Sequence, residues 1–372
     1  MQTVNSGWFY ANFPERDGVP LAARDIFEQR DLGRMPTLAE GHIRLKLSLV
    51  AIAPMAKTYL ELPGNDTGAD ELGLHRTRLG SPSPCEYIAE VVESASPEYA
   101  VGEKVWGMGP LFHYRDVRAD GADQPGGMAP MKAMPGLAPE KQLSVVTASA
   151  GITAYCAVEN HPCGRVEAPY ENKTILVTSA AGAVGLVVGQ LYKLKGCKVI
   201  GVTSSREKAD RLERFGGYDH VIAYRTEDLD ERLSALAPEG LDVFIDNVGA
   251  HQLDAGARHM KIGGRIMSVG AIGEMDAMVS GKLHGFTEYL RVPAKELTFG
   301  GFLMYNHFRE IPGAAMALVG LLAEGKLRSE ETVVHGDFGD WADCVDKLYE
   351  SQAFGRMILA LDGNGPAVNS EQ

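Results

Sequence analysis

A short glycine-containing segment carries the clearest chemical signal in this sequence of 372 residues. It reads Ala180-Ala181-Gly182-Ala183-Val184-Gly185, and it lies between an apolar stretch, Ile175 to Ser179, and an amphipathic stretch, Leu186 to Leu194. Turns that bind dinucleotides usually read G-x-G-x-x-G, so the last two glycine positions are kept here and an alanine takes the first.

The chemistry of such a turn follows from its backbone. A glycine at the second position lets the main chain approach a pyrophosphate, and a glycine at the third lets the following helix pack closely on the strand. The helix N-terminus then presents amide groups and a partial positive charge to the phosphates. The spacing therefore predicts a dinucleotide site formed by Ala181, Gly182, Ala183, Val184 and Gly185.

The end of the next predicted strand indicates which dinucleotide is bound. An NAD site usually places Asp or Glu about 20 residues further on, where it binds the ribose hydroxyls. This chain has Thr203-Ser204-Ser205-Arg206 and then Lys208, with no acid before Glu207. Hydroxyl groups and two cations suit a 2′-phosphate. The pattern favours NADPH held by Thr203, Ser204, Arg206 and Lys208; in the alternative interpretation, the two cations are ordinary surface charges of a helix.

The elements around these residues alternate between short apolar strands and helices. Such alternation indicates βαβ units in a parallel sheet, so we expect an α/β fold with a doubly wound Rossmann sheet. The predicted strands are 175–179, 198–203, 220–223, 241–247 and 264–269, and the predicted helices are 186–194, 207–215 and 229–236.

The flanking regions have a different character, and the length of the chain suits two domains. Patterns of β-forming residues predict strands at 42–53, 85–94 and 102–109, and a Gly-, Ala- and Asp-rich stretch at 119–127 is typical of a loop. Beyond residue 313 the sequence predicts helices at 314–323 and 341–351, a strand at 356–361 and a disordered tail at 362–372.

Composition limits the classes of partner. The chain is 45% hydrophobic and 23% charged, which is typical of a soluble protein, and its net charge of −13 disfavours nucleic acids and anionic membranes. It has no apolar run long enough for a membrane span, and Met1 to Pro14 lacks a signal-peptide pattern. The five cysteines are scattered and form no CxxC pair. We therefore expect a cytoplasmic protein with reduced thiols.

Further motifs accompany the glycine turn. They are Gly151-Ile152-Thr153-Ala154-Tyr155, Lys193-Leu194-Lys195-Gly196-Cys197, Asp246-Asn247-Val248-Gly249 and Gly263-Gly264-Arg265-Ile266. With these residues the sequence resembles the medium-chain dehydrogenase/reductase superfamily, and within it the zinc-independent prostaglandin reductase, curcumin reductase and alkenal double-bond reductase group. The resemblance implies a GroES-like β-barrel catalytic domain at 1–149 and 317–372, a Rossmann NADP-binding domain at 150–316, and a homodimer.

The resemblance also implies roles for individual residues in binding NADPH. Lys208, helped by Ser204, would hold the 2′-phosphate, and Tyr224 would lie in the adenine-phosphate region. Thr153 would lie near the nicotinamide, and Gly270 and Ala271 would flank it. Asn247 and Val248 would border the cofactor at the end of a central strand, and Phe302 and Leu303 would line the cofactor from a loop.

The reaction implied by the resemblance is reduction of a conjugated C=C bond. A hydride passes from NADPH to the β-carbon of an apolar α,β-unsaturated ketone or aldehyde, and the α-carbon is then protonated. The protein needs only to orient the reactants, stabilise an oxyanion and exclude water.

The sequence departs from the group's pattern where a proton donor is usual. Met55 and Met275 stand where the group has tyrosines, and Ala353-Phe354-Gly355-Arg356 replaces an N-x-G-K motif. Two methionines indicate a soft apolar pocket, which would also include Phe112 and Tyr114. The candidate replacements for the phenol are Tyr59, Tyr87, Tyr114 and Tyr305, and water or the cofactor ribose are further possibilities.

Other functions remain open on these residues. Pro84-Cys85-Glu86 stands where zinc-containing members have G-H-E, so we expect no metal. A quinone reductase would need no proton donor to carbon. A carbonyl or alcohol oxidoreductase would need a proton relay or metal that the sequence does not reveal. A protein that binds NADPH without catalysis is also compatible with the altered motifs, although the intact phosphate turn argues against it.

Overall fold

The chain divides into two compact units. The computed structural model describes residues 4–16, 19–58, 60–61, 77–124, 127–275, 277 and 282–361. One unit, here called the antiparallel unit, comprises the described residues of Met1–Leu143, Glu331–Gln352 and Met357–Gln372. The other, the parallel unit, comprises the described residues of Ser144–Glu330 together with Ala353–Arg356.

The residues before the parallel unit form mainly strands. The strands are β1 (Val4–Tyr10), β2 (Glu15–Arg16), β3 (Val19–Pro20), β4 (Phe27–Arg34), β5 (His42–Ile52), β6 (Pro84–Ser94), β7 (Lys104–Pro110), β8 (Tyr114–Arg118) and β9 (Met131–Lys132). The helices are α1 (Ala23–Ile26), α2 (Met55–Thr58) and α3 (Pro139–Val145), the last of which crosses the boundary between the units.

The central part of the chain alternates strands with helices. It starts with α4 (Thr153–Tyr155), which is flanked by π-helical turns at Ala148–Ile152 and Cys156–Asn160. The elements that follow are β10 (Thr174–Val177), α5 (Ala183–Lys195), β11 (Lys198–Thr203), α6 (Arg206–Phe215), β12 (His220–Ala223), α7 (Leu229–Leu236), β13 (Leu241–Asp246), α8 (Ala250–Arg258), β14 (Met260–Ser268), α9 (Arg291–Ala294), β15 (Thr298–Gly301) and α10 (Ile311–Ala323).

The last described segment contributes β16 (Glu331–Gly336), α11 (Trp341–Tyr349) and β17 (Arg356–Leu361). Within the antiparallel unit, β17 lies beside β5 in a sheet of order β16-β17-β5-β6-β7-β9, and β8 also pairs with β5. Strand β5 is apolar over most of its length and pairs antiparallel with β6, β8 and β17. Its residue Leu49 packs with Ile88 and Ile358 in the core of this unit.

The sheet of the parallel unit has the order β12-β11-β10-β13-β14-β15, and each neighbouring pair is parallel. The order reverses between β10 and β13, which is the switch point at which doubly wound sheets bind ligands. Leu176, Ile200 and Phe244 from three of these strands are fully buried in one cluster. The predicted fold class, a Rossmann-type sheet with a second β-rich domain, is confirmed.

Helix α10 sets the boundary of the parallel unit later than the sequence predicts. The predicted limit at residue 316 falls inside this helix, which runs unbroken from Ile311 to Ala323 and buries Ala314, Ala315 and Leu318. Because a continuous helix packs as one body, the part of α10 after residue 316 belongs to the parallel unit. So do the residues that follow it up to Glu330.

Some elements have no clear pattern in the sequence. Strand β4 reads FEQRDLGR and is mostly exposed, because it forms a two-stranded ribbon with β1 and not a core strand. Helix α8 is short and contains Gly256, which weakens its local signal. The predicted disordered tail, 362–372, lies outside the described residues, and within those residues no helix combines the length and apolar character needed to cross a bilayer.

A substitution in helix α8 tests how closely it packs on the sheet. A Cβ at Gly256 would lie 2.1 Å from a ring carbon of the buried Phe244. Gly256→Ala should therefore lower the free energy of unfolding by roughly 1–3 kcal/mol, although alanine favours a helix. The measurement is chemical denaturation followed by far-ultraviolet circular dichroism.

Gly320→Ala in helix α10 is the matched control, since nothing lies within 4 Å of its added Cβ. It should leave stability unchanged or raise it by roughly 0.5–1 kcal/mol. Equal stabilisation by both substitutions would show that α8 does not pack on Phe244 as described.

Candidate functional site

The turn between β10 and α5 forms an anion site from its backbone. Gly182 is the residue before the helix, and no side chain caps the first turn. That turn also contains no acidic residue. Because the first amide groups of a helix have no partners within it, they remain available to an anion beside the positive end of the helix dipole.

Steric contacts explain why glycines occupy this turn. A Cβ at Gly185 would lie 2.4 Å from the Ser179 carbonyl oxygen and 2.7 Å from the Ala180 Cα. A Cβ at Gly182 would lie 2.9 Å from the Ser179 Oγ. Any larger residue at Gly185 would push the helix away from the strand end. The residues present therefore fit the pyrophosphate of a dinucleotide, as the motif predicts.

The segment that replaces the family's N-x-G-K motif supports this turn. The Gly355 amide donates to the Ala181 carbonyl oxygen at 2.8 Å, and Gly355 forms a β-bridge with Gly182. Arg356 is buried, and its Nη2 donates to Ser149 Oγ at 2.8 Å. The sequence shows that the asparagine of this motif is replaced by Ala353. It gives no local signal for the backbone contact between Gly355 and Ala181.

The carboxyl ends of β11 and β12 lie side by side and bring the predicted 2′-phosphate residues together. The Tyr224 amide donates to the Thr203 carbonyl oxygen at 3.0 Å. Thr203 and Ser204 are buried, and the Ser205 hydroxyl caps α6 by accepting from the Lys208 amide at 3.3 Å. Hydroxyl groups, the Tyr224 ring and the Lys208 ammonium group thus share one edge of the sheet.

Arg206 on this edge is already neutralised by acids. Its guanidinium group lies 2.7 Å from the Asp210 carboxylate, 3.5 Å from that of Glu227 and 3.6 Å from that of Glu213. The hydrogen bond with Asp210 is the main cause that raises the pKa of Arg206. An arginine surrounded by three carboxylates offers little attraction to a phosphate, so the geometry weakens the role predicted for it.

Arg225 is a cation that sequence reasoning missed. It directly follows Tyr224, and its guanidinium carbon lies 6.0 Å from that ring centroid. Burial lowers the pKa of Lys208, and repulsion from Arg225 lowers it further. Lys208 and Arg225 thus place two positive charges near the ends of β11 and β12, where an anionic group could bind. A signal was present in the sequence, since Arg225 follows the strand next to β11.

Residues predicted to border, flank or line the cofactor follow three adjacent strands. The Asn247 amide group donates to the Thr178 carbonyl oxygen at 2.8 Å, and a Cβ at Gly270 would lie 3.1 Å from the Asn247 carbonyl oxygen. The Phe302 amide donates to the Ser268 carbonyl oxygen at 2.9 Å.

The remaining residues predicted around the cofactor occupy the same unit. The Val248 carbonyl oxygen accepts from the amide of Gly273, two residues beyond Ala271, at 2.9 Å. Leu303 follows Phe302 directly, and the Thr153 hydroxyl donates to the Ala148 carbonyl oxygen.

The candidate proton donors differ in accessibility. Tyr87 is fully buried with the Arg115 guanidinium carbon 4.9 Å from its ring centroid, and burial raises its pKa to about 12. This burial disfavours Tyr87 as a donor. Tyr114 is half-buried and lies beside His113, with ring centroids 4.9 Å apart. Tyr59 and the side chain of Tyr305 lie outside the part of the structure that is described.

The predicted pocket residues of the antiparallel unit are separated in space. Tyr114 pairs with Lys46 in the middle of β5, whereas Met55 begins α2 beyond the end of that strand. The separation along the strand from Lys46 to Ile52 is roughly 20 Å. Phe112 packs against Phe9, with ring centroids 5.9 Å apart. Met275, in the parallel unit, is buried.

Potential metal-ligating side chains do not converge in the part of the chain that the structure describes. In the described ranges, no group of three or more His, Cys, Asp and Glu side chains is arranged to hold a metal ion. All five cysteines are buried free thiols, and burial raises the pKa of Cys85, in the segment Pro84-Cys85-Glu86, to about 12.

Known proteins are similar to this chain in sequence and in fold. A family model described as a zinc-binding dehydrogenase matches residues 183–320, which excludes the Pro84-Cys85-Glu86 segment. The 2-alkenal reductase (NADP(+)-dependent) of Nicotiana tabacum is 30% identical over 69% of this chain and 71% of its own. Prostaglandin reductase 1 of Oryctolagus cuniculus is 30% identical over 81% of this chain and 79% of its own.

A solved structure extends the likeness to almost the whole chain. CurA of Vibrio vulnificus in complex with NADPH has a TM-score of 0.77 and 23% identity, and the match covers 97% of this chain and 100% of that one. Together with the glycine turn and its sheet, these matches establish that the chain belongs to the medium-chain dehydrogenase/reductase superfamily, in its zinc-independent group of prostaglandin and alkenal reductases.

Proposed function

We propose that this chain is an NADPH-dependent oxidoreductase that reduces the conjugated C=C bond of an apolar α,β-unsaturated ketone or aldehyde. The observation that carries the proposal is the site of the parallel unit. There the N-terminus of α5, which no side chain caps, occurs together with Ser204, Lys208 and Tyr224 at the adjoining ends of β11 and β12. The names of the two relatives, a 2-alkenal reductase and a prostaglandin reductase, support the substrate class. We also propose a cytoplasmic homodimer with a GroES-like catalytic domain.

The residues of the parallel unit would bind and orient the cofactor. Backbone amides of Ala183 to Gly185 would hold the pyrophosphate, while Lys208 and Arg225 would hold the 2′-phosphate with Ser204 and Tyr224. Asn247, Val248, Gly270 and Ala271 would border the nicotinamide. When bound, NADPH supplies the hydride that reduces the β-carbon of the substrate.

The protein must also stabilise the oxygen that becomes negative and provide a proton to the α-carbon. With Met55 and Met275 at the family's tyrosine positions and Tyr87 fully buried, a family phenol does not fill this role. The remaining sources are Tyr59, Tyr114, Tyr305, water and the ribose of the cofactor. Hydrogen-bond donors held in a water-poor site contribute more to such stabilisation than the same donors in bulk water.

The same methionines favour quinone reduction as a second candidate function. A quinone takes its protons on oxygen, from solvent, so it does not require a positioned acid next to carbon. Methionine side chains also adapt to flat, apolar ligands of different shapes.

Turnover of a small substrate panel tests these proposals. NADPH oxidation should be observed with an alkyl enone and an enal, with a product whose mass has increased by two hydrogens and whose carbonyl group is retained. A saturated ketone should not be reduced. The measurement is loss of nicotinamide absorbance, with product identification by mass spectrometry.

The panel also separates the alternatives. Turnover of a quinone without turnover of enone or enal would favour the second candidate. Tight NADPH binding without turnover of any compound would contradict both catalytic proposals for these substrate classes.

The 2′-phosphate assignment predicts different effects for three cations. Lys208→Gln and Arg225→Gln should each raise the Kd for NADPH about tenfold, because a hydrogen bond to a charged group contributes roughly 1.5–3 kcal/mol. Affinity for NADH should stay the same, since it lacks the phosphate. Binding is measured by quenching of intrinsic fluorescence at low and high salt.

Arg206→Gln is the matched control, because it removes the same charge from the same edge of the sheet. Its partners Asp210, Glu213 and Glu227 already neutralise it, so its Kd for NADPH should change less than about twofold. A large effect of Arg206→Gln together with none for Arg225→Gln would reverse the assignment.

A further inference from the structure

Two buried residues join the carboxyl ends of strands β10 and β13. Thr178 and Asp246 are both fully buried. The Thr178 hydroxyl donates to Asp246 Oδ1 at 2.8 Å and accepts from the Asn247 amide at 2.8 Å. These bonds fix the side chain of Asp246 against the neighbouring strand at the switch point of the sheet.

The Asp246 carboxylate also holds the turn that follows it. Its Oδ2 accepts from the Gly249 amide at 2.9 Å, and its Oδ1 accepts from the Val248 amide at 3.1 Å. Its backbone carbonyl accepts from the amide of Val269 at 2.7 Å. One residue therefore organises the main chain after β13 and the main chain after β14.

The bonding pattern requires a carboxylate. An ionised carboxylate only accepts hydrogen bonds, and each of the three groups that point at Asp246 is a donor. An asparagine of the same shape would place its amide nitrogen against one of these donors. The turn would then lose a bond without any change in side-chain volume.

Asp246 has no assigned role in binding or chemistry, but its neighbours do. We propose that Asp246, fixed by Thr178, is a positioning residue that holds Asn247 and Val248 in the conformation in which they border the nicotinamide. This inference rests on the proposed function. Asp246 would thus affect the affinity for the cofactor although it is buried and does not contact the cofactor itself.

Burial has a consequence for pH dependence. It raises the pKa of Asp246 to about 6, while the bonds from Thr178, Val248 and Gly249 oppose that rise. Among the described residues, the Glu274 side chain lies against Gly249 of this turn and is held by the amides of His284 and Gly285. Protonation below about pH 6 converts an acceptor into a donor and should loosen the turn.

The stability of the fold should depend less on this residue than cofactor binding does. The folded-state pKa is raised, so the ionised form is disfavoured by burial, and the contribution of this group to stability falls as pH rises from about 4 to 6. Asp246→Asn removes a buried charge and one acceptor together. These effects oppose each other, so a change in binding without a matching change in stability identifies a positioning role.

The test compares Asp246→Asn with Asp242→Asn in NADPH binding. Asp242 lies near the opposite end of β13, where its carboxylate accepts from Lys261 and from the Thr174 amide. Asp246→Asn should raise the Kd for NADPH about tenfold at pH 7.5 with little change in melting temperature. Asp242→Asn removes the same charge from the same strand and should leave the Kd within about twofold.

A pH series gives a readout that a merely structural role would not produce. The Kd for NADPH should rise in every variant as pH falls from 7.5 to 5.5, because the 2′-phosphate takes up a proton near pH 6. The rise should be steeper for the wild type and for Asp242→Asn, which keep the Asp246 carboxyl group, than for Asp246→Asn. The pair Thr178→Val and Thr178→Ser keeps the inference testable if Asp246→Asn does not fold. Valine should weaken NADPH binding about tenfold, and serine, which keeps the hydroxyl, should restore it.

The outcomes separate this inference from the proposed function. A wild-type protein that does not bind NADPH would overturn the proposed function and this inference together. Wild-type binding that is matched in affinity and pH profile by Asp246→Asn, or by Thr178→Val where the first variant does not fold, would overturn this inference alone.

Discussion

The close approach of helix α5 to the end of strand β10 is the steric constraint on which the rest of the site depends. At Gly185 the helix lies so near the Ser179 carbonyl and the Ala180 Cα that no side chain fits between them. This contact aims the first amides of the helix at the edge of the sheet where the other strands end. The residues after β11, β12, β13 and β14 can then act together, because parallel strands bring their carboxyl ends to the same edge.

Local sequence patterns predicted most helices and strands of the parallel unit. The features that they did not predict depend on contacts between segments that are distant in the sequence. Strands β11 and β12 and helix α7 have the predicted bounds, as does β17 in the antiparallel sheet, because an apolar run or an amphipathic period is a property of a few consecutive residues. The exposed ribbon of β1 and β4 has no such pattern, since its hydrogen bonds arise from pairing across more than a dozen residues. The bond from Gly355 to Ala181 and the neighbourhood of Arg225 and Lys208 likewise depend on sheet order, which no single segment encodes.

Charge in this chain is organised locally, and its net value of −13 gives little guidance to the site. On the edge formed by β11 and β12, one arginine is held by three carboxylates, while the lysine and the second arginine repel each other. A phosphate would relieve that repulsion, whereas it would have to compete with acids at Arg206. The attraction of a motif for an anion is therefore overestimated when its cations are counted without the acidic residues one helical turn away.

The bond between Gly355 and Ala181 has a consequence for biosynthesis. Residues 353–356 belong to the parallel unit, although the chain leaves that unit at Glu330 and returns only for this short segment. A ribosome releases a chain from its N-terminus, and domains generally begin to fold as they emerge. The sheet of the parallel unit can therefore assemble early, but its phosphate turn lacks a backbone partner until nearly the whole described chain has been released. The backbone bond that completes the turn can therefore form only after the segment 353–356 has emerged, long after the strands of the parallel sheet.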